Sequence, residues 1–557
     1  MRISDRPDLA QFQCNGAMAA AKIAKKNPRE IAQAIVDTLS QNEIFASVDI
    51  AGPGFINLNV TDEYLASHIQ NTENFGIAPI DGAPTTVLDY GGANIAKSMH
   101  VGHLRAAIIG DTLRRIMNFA GYKTIGDVHL GDWGTHLGML IGDYLRSGEQ
   151  NLVLDMDLND PNAVEALMKD MGERYPKASG EAKSDPALMK EAQETTVKLQ
   201  NKEEPYYPIW QKIREVSVAS LKETYGKLGV EFDVWKGEAD VHDLIEPMVT
   251  DMKAKSYAIE DDGAWVVPVA ANDDKKEIPP MILYKRDGAV MYGTTDCATI
   301  VERMDLYQPS KIVYIVDQRQ SLHFEQVFRA VRKTGIVTDA TELTHAGFGT
   351  MNGKDGKPFK TRDGGVMRLE DLIAMATQKA QDRLNEANLA EDMDQAERDD
   401  VANKVAISAI KFADLQNQRQ ADYVFDLDRL TSFEGKTGPY LLYQAVRIKS
   451  LLNKASNEGI SFDTNKIIVE DATRNLSLLL TEFPDVLDVT IRHYAPHHLC
   501  DYVYRLAQAF SSFYGNCHIM SETDEALRNS RLAFCQKTVE QLEIILGLLG
   551  ITVPDRM

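Results

Sequence analysis

The sequence predicts a multidomain α/β protein, in which a domain built on a parallel sheet follows a small α+β domain and precedes an all-α bundle. The chain has 557 residues, which is too long for one hydrophobic core and suggests three to four domains at about 150 residues each. Near residue 86 an apolar run, a glycine-bearing turn and a helical pattern follow one another, as in nucleotide-binding folds. From about residue 371 onward, one helical pattern follows another.

The composition is that of an ordinary globular protein, with 44% hydrophobic and 25% charged residues. No apolar run reaches about 18 residues, so we expect no transmembrane helix and no membrane partner. Residues 1–7 lack the apolar core of a signal peptide. No Cys-x-x-Cys pair occurs, so we expect no zinc site and no disulfide framework, but thiols in a reducing cytoplasm. The five cysteines are Cys14, Cys297, Cys500, Cys517 and Cys535.

The net charge is 60 − 82 = −22, which is unfavourable for a protein that binds nucleic acid, because phosphate contacts need Lys and Arg. The charge is uneven along the chain. Residues 436–557 contain 12 Lys and Arg against 14 Asp and Glu, a net of −2. A locally basic face is therefore compatible with the C-terminal part.

Residues 1–80 are predicted to form the small α+β domain. An alanine-rich helical pattern runs from Cys14 to Lys26. Asn27 is placed to cap the next helix, with Pro28 at its first position. Residues 48–58 are predicted to form a strand, a turn and a second strand.

The nucleotide-binding domain is predicted to begin with a buried strand at residues 86–90. Leu104, Ile108 and Leu113 then recur at roughly helical spacing. The turn between them contains the sequence His100-Val101-Gly102-His103. In a parallel sheet such a turn lies at the carboxyl edge of the strands, where ligands bind.

The chemistry expected of this turn is phosphate binding. A helix start offers free N–H groups and a partial positive charge to an anion. The imidazoles of His100 and His103 can donate further hydrogen bonds, Gly102 leaves room for a flat base, and Lys97 precedes the turn by three residues. Two histidines near a helix start can also be merely structural, so the motif alone does not decide the function.

A second strand is predicted at residues 121–130, and it leads into Gly131-Asp132-Trp133-Gly134. Asp132 could pair with a cation or cap the next helix, and a tight turn with a core tryptophan is the alternative. Residues 143–201 are polar, acidic and helical in pattern, as in a peripheral insertion. Residues 236–280 are predicted to be rich in strands.

The second half of the fold is predicted to resume at Met281 with a hairpin around Asp287-Gly288. Tyr292 and Asp296 follow on a helix, four residues apart and therefore on one face. An aromatic ring and a carboxylate together suit a guanidinium group. A capping aspartate beside a core tyrosine is an equally open alternative.

Residues 311–316 are predicted to form a buried strand that ends in a polar cluster with Gln320 and His323, where a nucleotide site is expected. His323 could cap the following helix or contact a ligand. Residues 348–365 hold five glycines and four basic residues in eighteen, including Lys354, Lys357 and Lys360. Such a loop could close over a polyphosphate or could simply be exposed.

The C-terminal part is predicted to be helical at residues 374–385, 399–414, 438–452 and 542–549. In the third of these, the apolar residues share one face, and Arg447 and Lys449 lie off it. A generic helical bundle would explain this pattern without any function.

Several of these motifs resemble the arginyl-tRNA synthetases, a family of class I aminoacyl-tRNA synthetases. Residues 93–103 are similar to the "HIGH" motif region of that family. Asn27-Pro28-Arg29-Glu30-Ile31-Ala32, together with residues 51–57, resembles an N-terminal domain special to it. Gly131-Asp132-Trp133-Gly134, residues 438–452 and the C-terminal tail also match. The loop at 348–365 occupies the place of the family's "KMSKS" motif but departs from that sequence, and Lys97 is the position implied to supply the missing charge.

The resemblance implies a class I Rossmann-type catalytic domain at 81–380, with an insertion at about 143–280. It also implies an N-terminal domain at 1–80 that binds the tRNA elbow and a helical anticodon-binding domain at 381–557. The implied activity is arginine–tRNA ligation by a cytoplasmic monomer. Its substrates would be L-arginine, tRNA(Arg) and ATP with Mg²⁺, without a protein metal site or a prosthetic group.

The resemblance also implies roles for individual residues. The implied catalytic residues are Lys97, His100, His103, Lys354, Lys357 and Lys360. The implied ATP-binding residues are Lys97, His100, Gly102, His103 and His323. The implied arginine-binding residues are Gly92, Ala93, Asn94, His103, Tyr292, Asp296 and Gln320. The implied tRNA-binding residues are Tyr440, Arg447 and Lys449.

Three rival functions are weighed against this one. A synthetase for another amino acid would lack the N-terminal domain and would not need Asp296. A silent paralogue that only binds tRNA would be expected to have lost His100, Gly102 or His103. A simple nucleotidyltransferase would not need the long helical C-terminal part.

Overall fold

The computed structural model describes residues 2–4, 6, 9–78, 80, 82–286, 288–357, 367–390 and 392–557. The N-terminal unit is an antiparallel sheet covered by helices, with the strand order β1-β2-β4-β3. Its elements are β1 Arg2–Ile3, β2 Phe12–Cys14, α1 Gly16–Ala24, α2 Pro28–Leu39, β3 Phe45–Ala51, β4 Phe55–Val60 and α3 Asp62–Asn71.

The predicted cap of α2 is confirmed, because the Asn27 side chain accepts a hydrogen bond from the Arg29 N–H at 2.9 Å and Pro28 opens the helix. The preceding helix begins later than predicted. Cys14 ends strand β2, and α1 starts at Gly16.

The central unit is built on a parallel sheet with the strand order β12-β11-β5-β6-β7. Val87 packs into the core on one side of β5 and Leu88 into the core on the other. Such double burial explains why these strands are apolar runs without alternation. The elements are β5 Thr85–Asp89, α4 Leu104–Phe119, β6 Lys123–Leu130, α5 Thr135–Ser147, α6 Asn151–Leu154, α7 Pro161–Ser184, α8 Pro186–Gln200, α9 Tyr206–Lys227, β7 Val234–Gly237, α10 His242–Ala254, β8 Ile259–Asp261, β9 Ala264–Val267, β10 Met281–Tyr284, α11 Tyr292–Tyr307, β11 Lys311–Tyr314, α12 Ser321–Lys333, β12 Glu342–His345 and β13 Met351–Asn352.

The segment at 236–280 differs from its prediction, since it contains helix α10 as well as β8 and β9. Ile245, Val249 and Met252 are buried at helical spacing, and that burial decides the conformation of residues 242–254. Strand β7 overlaps the first two residues of this segment and forms the edge of the parallel sheet, paired with β6. Strands β8, β9 and β10 form a separate antiparallel sheet.

The C-terminal unit is helical, as predicted. Strand β14 pairs in parallel with β13 and so joins this unit to the glycine-rich loop. The elements are α13 Leu369–Glu386, α14 Gln395–Leu415, β14 Tyr423–Val424, α15 Leu427–Leu430, α16 Gly438–Asn457, α17 Asp471–Thr481, α18 Phe483–His493, α19 His497–Asn516 and α20 Glu525–Leu548. The predicted fold class is confirmed.

Buried charged groups join α4 to α14. The Arg105 Nε lies 3.1 Å from Asp414 Oδ2, and the Arg105 Nη1 donates to the Gly349 carbonyl at 2.7 Å. Further along α14, the Lys411 Nζ donates to the Gly550 carbonyl at 2.8 Å, and burial lowers the pKa of Lys411 to about 8. Helix α4 is therefore fixed both to the bundle and to the start of the glycine-rich loop. In the described part of the chain, no helix has the length and apolar character needed to cross a membrane.

Candidate active site

Two histidines lie where the chain enters α4. His100 caps the short 3-10 turn Val101–His103. The His100 Nδ1 accepts a hydrogen bond from the Gly102 N–H at 3.1 Å, and the His103 Nδ1 accepts one from the His100 N–H at 3.2 Å. The ring centroids are 4.0 Å apart. Because a neutral imidazole whose Nδ1 accepts carries its proton on Nε2, each ring keeps one N–H donor for a ligand.

Both imidazoles are uncharged near neutral pH. Burial and the neighbouring His100 lower the pKa of His103 to about 4. Burial and the charge of Lys97 also lower the pKa of His100 below its ordinary value. The pair therefore offers hydrogen bonds, while Lys97 supplies the positive charge.

The close contact between the backbone at position 102 and the His100 ring requires glycine at this position. A Cβ at this position would lie 2.8 Å from the His100 Cε1, so any side chain would displace the imidazole. This contact adds a second reason for the glycine, beside the space that it leaves for a base.

The segment at 92–94 passes along the end of β6. The Gly131 N–H donates to the Ala93 carbonyl at 3.1 Å, and the Ile95 N–H donates to the Gly131 carbonyl at 3.2 Å. A Cβ at Gly92 would lie 2.9 Å from the His129 carbonyl oxygen. Gly92 and Asn94 are exposed here, whereas Ala93 is buried.

The first turns of α11 hold the predicted guanidinium-binding pair. Asp296 is the fifth residue of this helix and Tyr292, at the start, is 71% exposed, so neither a capping aspartate nor a core tyrosine is present. The Asp296 Oδ2 lies 2.5 Å from the Nε2 of His323, on the neighbouring helix α12. Burial lowers the pKa of His323, but the hydrogen bond and the charge of Asp296 outweigh it and raise the pKa above the ordinary value.

Glu238 is a third member of this pocket, and sequence reasoning missed it. It follows strand β7 at the carboxyl edge of the sheet. Burial and the charges of Asp132 and Asp296 raise the pKa of Glu238 to about 8. Asp132 itself pairs with Arg214 at 2.7 Å, as one of its predicted roles required. Because the neighbouring carboxylates disfavour ionisation of Glu238, a bound cation would stabilise the charged form of this pocket.

Two further residues of the site were also missed. The ammonium group of Lys97 lies 4.4 Å from the ring centroid of Tyr175, on the inserted helix α7. His136 lies near the same lysine, and burial together with the charge of Lys97 lowers the pKa of His136 to about 4. Its position just after the Gly131–Gly134 turn was the one available signal for His136. No local pattern marks Tyr175, whose place depends on the packing of α7.

The remaining residues predicted for catalysis or arginine binding that the structure describes are exposed, and fewer contacts fix their positions. Gln320 is exposed in the 3-10 turn after β11. Lys354 lies 3.1 Å from Asp426, and Lys357 is exposed. Lys360 lies outside the described residues. Beyond the glycine-rich loop the chain returns to the histidine turn, where the Val101 N–H donates to the Met367 carbonyl at 3.1 Å.

The predicted tRNA-binding residues of α16 differ in their surroundings. Lys449 forms ion pairs with Glu543 at 2.8 Å and Asp555 at 3.2 Å. The Tyr440 ring packs against Tyr504. Arg447 instead lines a groove of about 450 Å³. The other residues lining that groove are Ser450, Leu451, Lys454, Tyr514, Cys517, His518, Ile519, Met520 and Ser521.

No group of three or more His, Cys, Asp or Glu side chains placed to hold a metal ion occurs among the residues that the structure describes.

Three family models match the chain. The model described as "tRNA synthetases class I (R), catalytic domain" matches residues 69–427. The "Arginyl tRNA synthetase N terminal domain" matches residues 1–60, and the "DALR anticodon binding domain" matches residues 441–557.

Curated relatives align along the whole chain. An arginine–tRNA ligase of Hyphomonas neptunium is 50% identical, and one of Alkaliphilus oremlandii is 47% identical. Each alignment covers 100% of this chain and 95% of the relative.

Two solved structures of arginyl-tRNA synthetases have a fold similar to that of this chain. The arginyl-tRNA synthetase of Plasmodium falciparum superimposes with a TM-score of 0.81 at 26% identity, covering 99% of this chain and 94% of that one. The Thermus thermophilus arginyl-tRNA synthetase has the same fold, with a TM-score of 0.80 at 21% identity, covering 100% and 96% of the two chains.

Proposed function

Because the chain belongs to the arginyl-tRNA synthetases of class I and is an arginine–tRNA ligase, we propose that its active centre lies between the His100–His103 turn and the acidic pocket of Asp296 and Glu238. In the first step of the reaction, an oxygen of the arginine carboxylate bonds to the α-phosphorus of ATP and pyrophosphate leaves. In the second step, a terminal ribose hydroxyl of tRNA attacks the arginyl carbonyl and AMP leaves.

The phosphate side of this centre consists of neutral donors and cations. The Nε2–H groups of His100 and His103 donate to phosphate oxygens, and Lys97 places a positive charge beside them. Lys354 and Lys357 of the glycine-rich loop supply further positive charge, and the same role is proposed for Lys360, which lies outside the described residues. Such groups stabilise the charge that develops on the α-phosphate without forming a covalent intermediate. Gly102 leaves space for the base.

The arginine side of the centre is acidic, and the assignment rests on Tyr292 and Asp296 in the first turns of α11, against which the turn that begins at Glu238 packs. Asp296 supplies the negative charge for the guanidinium, the bound cation in turn favours ionisation of Glu238, and Tyr292 covers the guanidinium with its ring. Gly92, Ala93, Asn94, His103 and Gln320 surround the α-amino and carboxylate end. His323 was predicted to bind ATP, but its hydrogen bond to Asp296 supports a role in orienting that carboxylate.

Mg²⁺ would be carried by ATP and not by a protein side chain. The side chains assigned to the phosphates are imidazoles and lysines, which do not suit Mg²⁺, and both carboxylates are assigned to arginine. The ion supplies charge neutralisation on the phosphates. We propose no zinc and no prosthetic group.

The tRNA is bound by the two outer units. We propose residues 1–80 as the domain for the tRNA elbow and residues 381–557 as the anticodon-binding domain, on either side of the catalytic domain at 81–380 with its insertion at about 143–280.

Arg447 and Lys449 make a matched pair for testing the tRNA assignment. Arg447→Ala is expected to raise the KM for tRNA(Arg) about tenfold, because Arg447 lies 4.1 Å over the Tyr514 ring in a groove of about 450 Å³, where we propose that a base stacks. Lys449→Ala is expected to change it less than about twofold, since the charge of Lys449 is already paired with two carboxylates. The measurement is aminoacylation against tRNA concentration. Equal effects of the two substitutions would contradict the assignment of the groove.

We further propose that the protein works in the cytoplasm as a monomer. The five free cysteines suit a reducing compartment.

The decisive experiment is arginine-dependent exchange of labelled pyrophosphate into ATP, with and without tRNA(Arg). Exchange that requires tRNA would support an active centre completed by tRNA. Exchange without tRNA would keep the proposed centre and remove that requirement. Absence of exchange in both conditions, while tRNA still binds, would overturn the proposed centre.

A further inference from the structure

The backbone before Lys97 is held in an unusual conformation. Ala96 has a φ of 60°, in the left-handed region that residues other than glycine rarely adopt. Its N–H donates to the Ser217 Oγ at 2.9 Å. Ser217 is 1% exposed, on the inserted helix α9. Helix α9 therefore sets the direction in which the Lys97 side chain leaves the turn.

The side chain of Lys97 is held at its tip by a second inserted helix. The Lys97 Nζ lies 4.4 Å from the Tyr175 ring centroid, well within the range of a cation–π interaction. Among the described residues, no carboxylate forms an ion pair with Lys97. The ring thus limits the freedom of a long side chain without neutralising the charge that a phosphate would need.

Tyr175 is itself firmly placed. Its neighbour Arg174 pairs with Asp143 at 2.9 Å and with Glu149 at 2.7 Å, which pins this turn of α7 to α5. The Tyr175 ring also packs edge-on against His136, with a centroid distance of 6.4 Å. The ring can therefore serve as a fixed support.

We propose that Tyr175 is a positioning residue for Lys97. It holds the ammonium group at the α-phosphate, so that formation of the arginyl-adenylate depends on the helices inserted into the nucleotide-binding fold. This inference rests on the proposed role of Lys97 at the ATP phosphates. Tyr175 need not touch a substrate, because it acts through the lysine.

The test is a double-mutant cycle measured by arginine-dependent pyrophosphate exchange. Tyr175→Leu removes the ring and is expected to lower kcat about tenfold, with a smaller change in the KM for arginine. Tyr175→Phe keeps the ring face and is expected to restore nearly full kcat. In a Lys97→Met background, Tyr175→Leu is expected to cause no further loss.

Tyr206→Leu is the matched control. Tyr206 lies on α9 beneath Lys198, at 5.0 Å from its ammonium group, in the same inserted segment, and Lys198 has no proposed role in the site. This variant is expected to keep normal kcat, which separates loss of positioning from loosened helix packing.

Each of the other outcomes identifies what has failed. Full kcat in Tyr175→Leu, with low kcat in Lys97→Met, would overturn the positioning role and keep the proposed function of Lys97. A loss from Tyr175→Leu that persists in the Lys97→Met background would show that Tyr175 acts elsewhere, which also overturns the inference. Full kcat in Lys97→Met would instead refute the role of the lysine on which the inference rests. An equal loss of kcat in Tyr206→Leu and in Tyr175→Leu would indicate that both losses come from loosened helix packing, which would also overturn the positioning role.

Discussion

Asp296→Ala is expected to raise the KM for arginine by about 10²- to 10³-fold while ATP still binds. The substitution leaves the guanidinium facing Glu238 alone and removes one partner of a partly buried charge pair, a change that costs about 2–5 kcal/mol. The measurement is pyrophosphate exchange with arginine and ATP varied separately. A normal KM for arginine in this variant would refute the pocket assignment.

Two controls separate direct recognition from other effects of this substitution. Asp305→Ala makes the same chemical change on the exposed side of the same helix and is expected to leave the KM for arginine unchanged. His323→Asn removes the imidazole bonded to Asp296 and is expected to raise this KM far less than Asp296→Ala. An equal effect from His323→Asn would mean that the aspartate acts through the histidine.

His103→Asn is expected to lower kcat for adenylate formation by about 10²- to 10³-fold, the usual cost of removing one donor that stabilises developing charge. The hydrogen bond that His103 accepts on Nδ1 places its proton on Nε2. His103→Gln, whose amide nitrogen reaches the Nε2 position, is therefore expected to keep more activity than His103→Asn. Single-turnover formation of arginyl-adenylate measures both variants.

The exposed His68 supplies the matched control, since His68→Asn changes the same side chain in the N-terminal unit and is expected to be silent. Equal losses from His103→Gln and His103→Asn would argue against donation from Nε2.

The lowered pKa of His103 also makes the stability of the folded protein depend on pH. The folded pKa of His103, about 4, lies below its ordinary value of 6.5. Between pH 6.5 and 4 the unfolded chain therefore binds a proton that the folded chain does not, and stability falls as the pH drops through that range. Thermal unfolding of His103→Asn is expected to be less sensitive to acid than that of the unchanged chain.

The features that sequence alone could predict are those decided by neighbouring residues. The apolar run before His100 and the helical spacing after it depend on local burial, and Asn27-Pro28 is a local capping pattern. Tyr292 and Asp296 are also close in sequence, so their shared face could be predicted from helical geometry.

The features that sequence could not predict depend on contacts between distant segments. Glu238 joins Asp296 only because β7 forms the edge of the parallel sheet, and the short run Val234–Gly237 gives little sign of that. Lys449 lies off the apolar face of its helix, yet Glu543 and Asp555, about 100 residues further along the chain, neutralise its charge. Tyr175 reaches Lys97 through the packing of α7, in a stretch that its polar composition assigns to a solvated surface.

The hydrogen bond from Lys411 to the Gly550 carbonyl has a consequence for synthesis of the chain. Lys411 is 1% exposed, and its charge lies close to that of Asp111 on α4. A buried ammonium group without an acceptor is costly, so the contact between Lys411 of α14 and Asp111 of α4 gains its final support only when residues near 550 are in place. Domains generally fold in order as they leave the ribosome. Here α4 in the nucleotide-binding unit is made early, but the segment around Gly550 that completes its surroundings emerges much later, and a nascent chain stalled between the two lacks that contact.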